Sequence, residues 1–382
     1  MSYDLQVWST NGPVLEEVLS SDRGWQGHAE IRTLERKTWQ IVCDSSSRVL
    51  PEDIPAQVAD CLPGISFLTD VVLEPINAPV SARKEALRTA SRIAKSSHGI
   101  VFDKQTDELT TPRGVKRYIA AARPARFGVL KLGWWFLDDV MMSKAGVTGF
   151  LDILSTHMPE ALPRRYGQYE PPKHLLAEEG REHLAMFLAD KIDNSPVLYP
   201  HRPFVGLSIA CTSERQHPRL GFRCNRLSIE CEASVVAQSG WQEGLQRFWL
   251  AMCGYLRPFY SEARTLQGFV PMGATYGSDM QTDIHPIRSW FWRGIPRELG
   301  HAVAISAPYI ELWPQAAAEG RWVGDFMVLD TGRWTDKNNL DVEAPDSIRQ
   351  AWTPAYTNVR GGRSVNWVTE YPPAWPFERQ AS

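Results

Sequence analysis

The chain has 382 residues, 43% of them hydrophobic and 22% charged, with a formal net charge of −3. That is enough chain for two or three domains, or one elaborated α+β body, with a core that needs no disulfide staples. The same balance excludes long disordered arms, fibrous repeats and a globally basic nucleic-acid binder.

In chain order, Tyr3 to Trp8 reads as a strand and Val14 to Ser20 as a helix. Gly27 to Leu34 and Thr38 to Asp44 alternate with period two, as a hairpin turning at Glu35-Arg36-Lys37. A short helix near Asp53 to Cys61 and a strand over Phe67 to Leu73 follow, then a helix capped by Ser81 that runs to Ser96 and stops at His98-Gly99. Ile100 to Phe102 returns as a strand, and the Pro-containing basic stretch Ala120 to Arg126 is the linker candidate.

A second unit opens with the apolar strand Phe127 to Asp138, followed by a helix near Val147 to His157, a turn-rich stretch from Pro159 to Pro172 and a helix near Leu175 to Ala189. Strands over Phe204 to Cys211 and Arg226 to Val236 precede a helix in which Trp241, Leu245, Phe248, Trp249, Met252, Leu256 and Phe259 make one apolar stripe. Glu262 to Arg288 has the composition of a long polar loop. Beyond it a short helix is expected at Pro296 to His301, strands near Tyr309 to Leu312 and Phe326 to Leu329, and a Pro-rich tail ending Tyr371-Pro-Pro-Ala-Trp-Pro-Phe.

The expected class is therefore α+β, with antiparallel or mixed sheets carrying helices on one face. The plan is ferredoxin-like, a split βαβ module whose order of elements recurs in the second unit as in a duplication, plus a Pro/Trp-rich C-terminal region. The expected divisions are 1–118, 127–288 and 289–382, the last packing on the central domain.

Chemistry is sparse. Neither a P-loop nor a G-x-G-x-x-G turn occurs, H-E-x-x-H is absent, and no pair among the nine histidines stands at i, i+4 on a convincing helix. His285, beside Asp283 in the polar loop, is the one histidine to inspect as a ligand. Cys43 to Arg48 resembles the phosphate loop of cysteine phosphatases but is one residue short, and its strand phase turns Cys43 inward. Asp22 with Glu35 and Lys37 fits a loose nuclease pattern, yet the latter two read as a hairpin turn. Asp138 and Asp139 point to opposite faces of a strand, whereas Glu230 and Glu232 share one, which reads as a solvated sheet face. Neither a metal nor a cofactor is expected.

Six cysteines at 43, 61, 211, 224, 231 and 253 show neither C-x-x-C nor a secreted disulfide spacing. No stretch of 18 uncharged apolar residues exists, and the opening residues lack the basic and apolar regions of a secretory leader. A cytoplasmic protein without membrane attachment is expected.

The fifteen tryptophans are the outstanding feature. Trp39, Trp241 and Trp249 follow the periodicity of a core. Trp290, Trp292 and Trp313 do not: Trp290-Phe291-Trp292 cannot turn all its rings one way, so the segment is either a junction between the C-terminal region and the body or an anchor for a partner. Trp290, Trp292, Arg293 and Trp313 are the candidate partner-binding residues.

The blocks Tyr3-Asp-Leu-Gln-Val-Trp, Gly99-Ile-Val-Phe-Asp-Lys-Gln and Trp292-Arg-Gly-Ile-Pro-Arg-Glu-Leu-Gly with Pro308-Tyr-Ile-Glu-Leu-Trp-Pro resemble bacterial immunity proteins of polymorphic-toxin and type VI secretion systems. The resemblance covers about a tenth of the chain. It implies a cytosolic, non-enzymatic protein that binds and inhibits one cognate toxin, with a protein rather than a nucleic acid as partner. The alternative is a metal-dependent nuclease, phosphodiesterase or other enzyme component of a defence system.

Overall fold

The computed structural model describes residues 2–20, 24–28, 31–106, 108–111, 114–117, 126–170, 172–212, 216–217, 221–222, 224–272, 275–278, 292, 294–296, 298–307, 309–334, 339–349, 353–359 and 362–368. The chain divides into two compact units, Met1–Ala125 with Pro271–Ala274 and Arg126–Val270 with Thr275–Ser382.

The first unit runs β1 (Tyr3–Ser9), α1 (Leu15–Leu19), β2 (Trp25–His28), β3 (Ile31–Arg36), β4 (Trp39–Asp44), β5 (Ser47–Arg48), α2 (Ala56–Ala59), β6 (Phe67–Glu74), α3 (Val80–Ser96), β7 (Gly99–Asp103), β8 (Glu108–Thr111) and β9 (Gly114–Arg117). They form one sheet in the order β2-β3-β4-β6-β1-β7-β8-β9, with β5 on β6. β1 pairs antiparallel with both β6 and β7, so those two strands are parallel to each other, held apart by β1 and joined through α3. That is a split βαβ unit, and β1 and β4 stand in the same relation across β6, which gives the ferredoxin-like plan.

Alternation along the strands decides what each face buries. Tyr3, Leu5 and Val7 point to the helices with Ile41, Val71, Leu73 and Val101, while α3 lays Ala82, Ala86, Ala90 and Ala94 on the same core at four-residue steps. Small side chains at those steps let a helix lie close to the sheet. The opposite face carries a smaller apolar cluster of Trp8, Leu68, Ile100, Phe102 and Leu109.

The second unit begins with β10 (Phe127–Phe136) and α4 (Lys144–His157), whose Ser143 hydroxyl caps the helix by accepting from the Gly146 amide at 3.0 Å. Then follow β11 (Pro163–Gly167), β12 (His174–Leu175), α5 (Leu176–Lys191), β13 (Val197–Pro200), β14 (Phe204–Ala210), β15 (Gln216–His217), β16 (Gly221–Phe222), β17 (Asn225–Glu232) and α6 (Trp241–Leu256). The chain continues as β18 (Tyr260–Met272), β19 (Thr275–Ser278), β20 (Ala302–Ile305), α7 (Tyr309–Leu312), α8 (Pro314–Glu319), β21 (Arg321–Val323), β22 (Phe326–Asp330), β23 (Thr353–Val359) and β24 (Gly362–Val368).

The main sheet is ordered β12-β11-β13-β14-β17-β10-β18-β20-β22-β21, with β19 on β18, while β15-β16 and β23-β24 are separate pairs. β10 lies antiparallel between β17 and β18, which α6 joins. The central order β14-β17-β10-β18 therefore repeats β4-β6-β1-β7 of the first unit, with the first helix, the second helix and the strands in the same chain order. The duplicated module expected from the pattern is visible as topology. Leu130, Leu132 and Trp134 of β10 meet Leu245, Phe248, Trp249 and Met252 of α6 in the principal core.

Four local readings change, the first being that Pro296–His301, expected as a short helix, is not helical at its described residues. The polar stretch after Glu262 is strand up to Met272, because Ser261 and Glu262 are buried with their partners supplied: Ser261 accepts from the Trp249 indole at 2.7 Å and donates to the Gly133 carbonyl at 2.8 Å. Tyr309–Leu312 is a helical turn rather than a strand, with Tyr309 pushed into an aromatic cluster. The turn-rich stretch from Pro159 contains the strand β11, buried at all five positions. No helix among the described residues is long and apolar enough to cross a membrane.

Candidate functional site

The tryptophans separate by position. Trp134, Trp135, Trp249 and Trp334 are interior, and so are two of the four residues singled out as partner anchors: Trp292 is 4% exposed and Trp313 fully buried. Trp290 and Arg293 lie outside the described residues, as does His285. The Trp292 indole donates to the Tyr309 hydroxyl at 2.6 Å and packs on Trp135, Phe259 and Tyr260 at centroid distances of 5.0–5.5 Å. Burial raises the Tyr309 phenol well above its ordinary value, so it stays protonated and can accept this bond. Trp313 lies in the same cluster with Met327 and Ala316.

Among the described residues the exposed tryptophan is Trp322, 60% exposed, at the centre of β21, the outermost strand at its end of the sheet, while Trp25, Trp39 and Trp241 are half-buried. It faces Met327 across the β21–β22 pair. Directly opposed residues share a face, and Met327 is part of the cluster that holds Trp292 and Trp313, so Trp322 lies on the aromatic face of the sheet at its rim. Sequence patterning passed over it because a three-residue strand carries too little periodicity.

The paired carboxylates do not converge on one another. Glu230 forms an ion pair with Lys131 directly across from it on β10, while Glu232 pairs with Arg202. Around the first pair the same face is charged and buried rather than solvated: Arg264 opposes Lys131 from β18, and Glu262 accepts from Arg264 at 3.0 Å and from the Gly300 amide at 2.6 Å. Burial pushes the Glu262 carboxyl up while Arg264 draws it back, and burial lowers Arg226 on the same face. Glu230 is matched to Lys131 across strands and Glu262 to Arg264 two residues along its own strand, so each buried acid on this face has a base beside it.

The remaining candidates are dispersed. Asp22 lies outside the described residues, while Glu35 and Lys37 are exposed at the β3–β4 connection. Cys43 is buried in the first core, where burial raises its thiol far above the ordinary value and suppresses the thiolate a phosphatase needs. Asp138 and Asp139 are exposed, and Asp138 accepts from the Val140 amide. All six cysteines are free thiols.

Where no metal was expected, β12 and α5 bring His174, Glu179 and His183 together, with one ligand atom of each within 4.8 Å of the others. Inspection of histidine pairs missed them, since the set is one histidine from a strand plus Glu179 and His183, and α5 is interrupted between those two by Gly180 at φ 81°, ψ 167°. The spacing H-x4-E-x3-H was the available signal.

No protein-family model matches the chain, and no curated protein matches it. Among solved structures, a Pseudomonas aeruginosa T6SS protein is similar over 54% of this chain and 71% of its own length, with a TM-score of 0.38 and 9% identity.

Proposed function

We propose that the chain is a protein-binding protein of the immunity type, which holds a cognate bacterial toxin in the cytoplasm and blocks it. The observation that carries this reading is Trp322: an indole 60% exposed on an edge strand whose only described strand neighbour is β22. Such a strand offers unpaired backbone donors and acceptors to an extended segment, and an exposed tryptophan beside them is the side chain that most often anchors a protein interface. Exposed Arg321 and Asp325 flank it as a polar rim. In this reading Trp292 and Trp313 support the binding face from within.

The test is co-purification of the untagged chain with the product of a neighbouring toxin gene, followed by titration of variants. Trp322→Ala is expected to weaken the complex by about 30-fold or more at unchanged melting temperature, the size of an interface hot spot. An unchanged affinity would remove β21 as the site. A toxin that neither co-purifies with this chain nor loses activity in its presence would remove the inhibitor reading itself.

A further inference from the structure

We propose that His174, Glu179 and His183 form a binding site for one divalent transition-metal ion of the zinc class, a site separate from the partner-binding edge. The three ligands come from a ten-residue stretch folded back on itself. His174 stands in the two-residue strand β12, directly across from Tyr166 of β11. The helix α5 starts two residues later, and the break at Gly180 turns its first residues independently of the rest. Glu179 ends the short first turn, and His183 follows in the continuous helix.

The geometry is that of ligands awaiting a cation. Nδ1 of His174 lies 3.4 Å from Oε1 of Glu179, and the His174 and His183 rings are 5.1 Å apart between centroids. Zinc bonds of 2.0–2.1 Å to nitrogen or oxygen place tetrahedral ligand atoms roughly 3.3 Å apart, so closing on an ion requires movements of about 1 Å. The two residues that would move are on the surface, with His174 35% and Glu179 42% exposed in their side chains.

His183 is held instead. The hydroxyl oxygen of fully buried Tyr166 is 2.7 Å from its Nδ1; in the tautomer whose Nδ1–H donates to that oxygen, Nε2 carries the lone pair that would coordinate. A ligating histidine fixed through its other ring nitrogen is the regular outer-shell arrangement of metal sites. Tyr166 stacks on His174 at 5.2 Å, and the Phe187 ring packs against both, 5.5 Å from His174 and 5.2 Å from Tyr166.

Two imidazoles and a carboxylate select a borderline ion over calcium or magnesium, which prefer all-oxygen shells. Three protein ligands at a partly exposed position leave the fourth place to water or to a group from outside.

The untagged chain, stripped with a chelator, is titrated calorimetrically with Zn2+ and spectroscopically with Co2+. One equivalent is expected to bind, with cobalt bands of nitrogen and oxygen ligation and no thiolate charge-transfer absorption. His174→Asn and Glu179→Gln, both at surface positions, are each expected to lower affinity by about 100-fold, and Tyr166→Phe by about 10-fold through release of His183. Three results would overturn the proposal: no uptake by the wild-type chain, a His174→Asn/Glu179→Gln double variant that binds like wild type, or a thiolate band assigning the ion to cysteine.

Discussion

The two units share a strand order but not a way of filling it. In the first, α3 meets the sheet with alanines at 82, 86, 90 and 94, and the far face closes with a modest apolar cluster. In the second, α6 meets the sheet with Leu245, Phe248, Trp249 and Met252, while the far face is divided between a matched layer of charges around Lys131 and an aromatic cluster around Trp292. Topology is thus kept by antiparallel pairing to one central strand, and what diverges is side-chain volume and polarity on the faces. The face turned away from α4, α5 and α6 in the second unit is where both the buried charges and the rim tryptophan occur.

If volume is the difference, truncation should be costlier in the second unit. Phe248→Ala is expected to destabilise by about 3–5 kcal/mol, measured by urea denaturation with hydrogen exchange to follow the two units separately. Equal protection loss in both units would show that they unfold as one body.

Breaking the charge layer comes next. Glu262→Ala leaves Arg264 buried without its partner and is expected to cost about 3 kcal/mol, whereas the double change Glu262→Leu/Arg264→Met should recover most of that loss. Failure of the double variant to recover would mean that the layer specifies the strand register as well as satisfying its own charges.

In the first unit the sensitivity is reversed, to added volume. Ala90→Leu between α3 and the sheet is expected to destabilise by about 1–3 kcal/mol, while the same substitution at exposed Arg88 should stay within about 0.5 kcal/mol.

The smallest effect is electrostatic. Burial raises the Asp70 carboxyl to about 6, against the Gln6 amide and Lys104 and with Asp44 and Asp4 adding to the rise. The unfolded carboxyl titrates near 3.9. Between those values the folded chain retains a proton that the unfolded chain has released, so stability falls as pH rises from about 4 to 6 and stays lowered above. Asp70→Asn is expected to remove that slope and to stabilise the first unit by about 1–2 kcal/mol at pH 7. An unchanged pH profile between 4 and 6 would show that Asp70 is better solvated than its position indicates.

Much of this architecture was legible in advance. The stripe from Trp241 to Leu256, the inward phase of Ile41 and Cys43 and the recurrence of strand, helix, strands and long helix are local periodicities, and local periodicity survives folding. Three-residue β21 and two-residue β12 were not legible, being shorter than any repeat that could mark them. β18 was hidden for another reason: a strand whose outward face is Glu262 and Arg264 has the composition of a loop until the partners that satisfy it are in place. The sites follow the same division. Trp292 and Trp313 stood out as residues without an assigned face, and their assignment to an interior cluster depended on Trp135 and Tyr309, at separations no pattern reports.

By itself, then, the amino-acid sequence determined the α+β class, the succession of the two modules and the inner face of each long element, because alternation and helical spacing are properties of neighbouring residues. Only the tertiary structure decided that Trp292 and Trp313 are core side chains, that Trp322 stands exposed at the rim, and that His174, Glu179 and His183 meet across a broken helix. Those outcomes depend on which distant strand lies alongside, and burial, charge pairing and ligand convergence are fixed by that pairing.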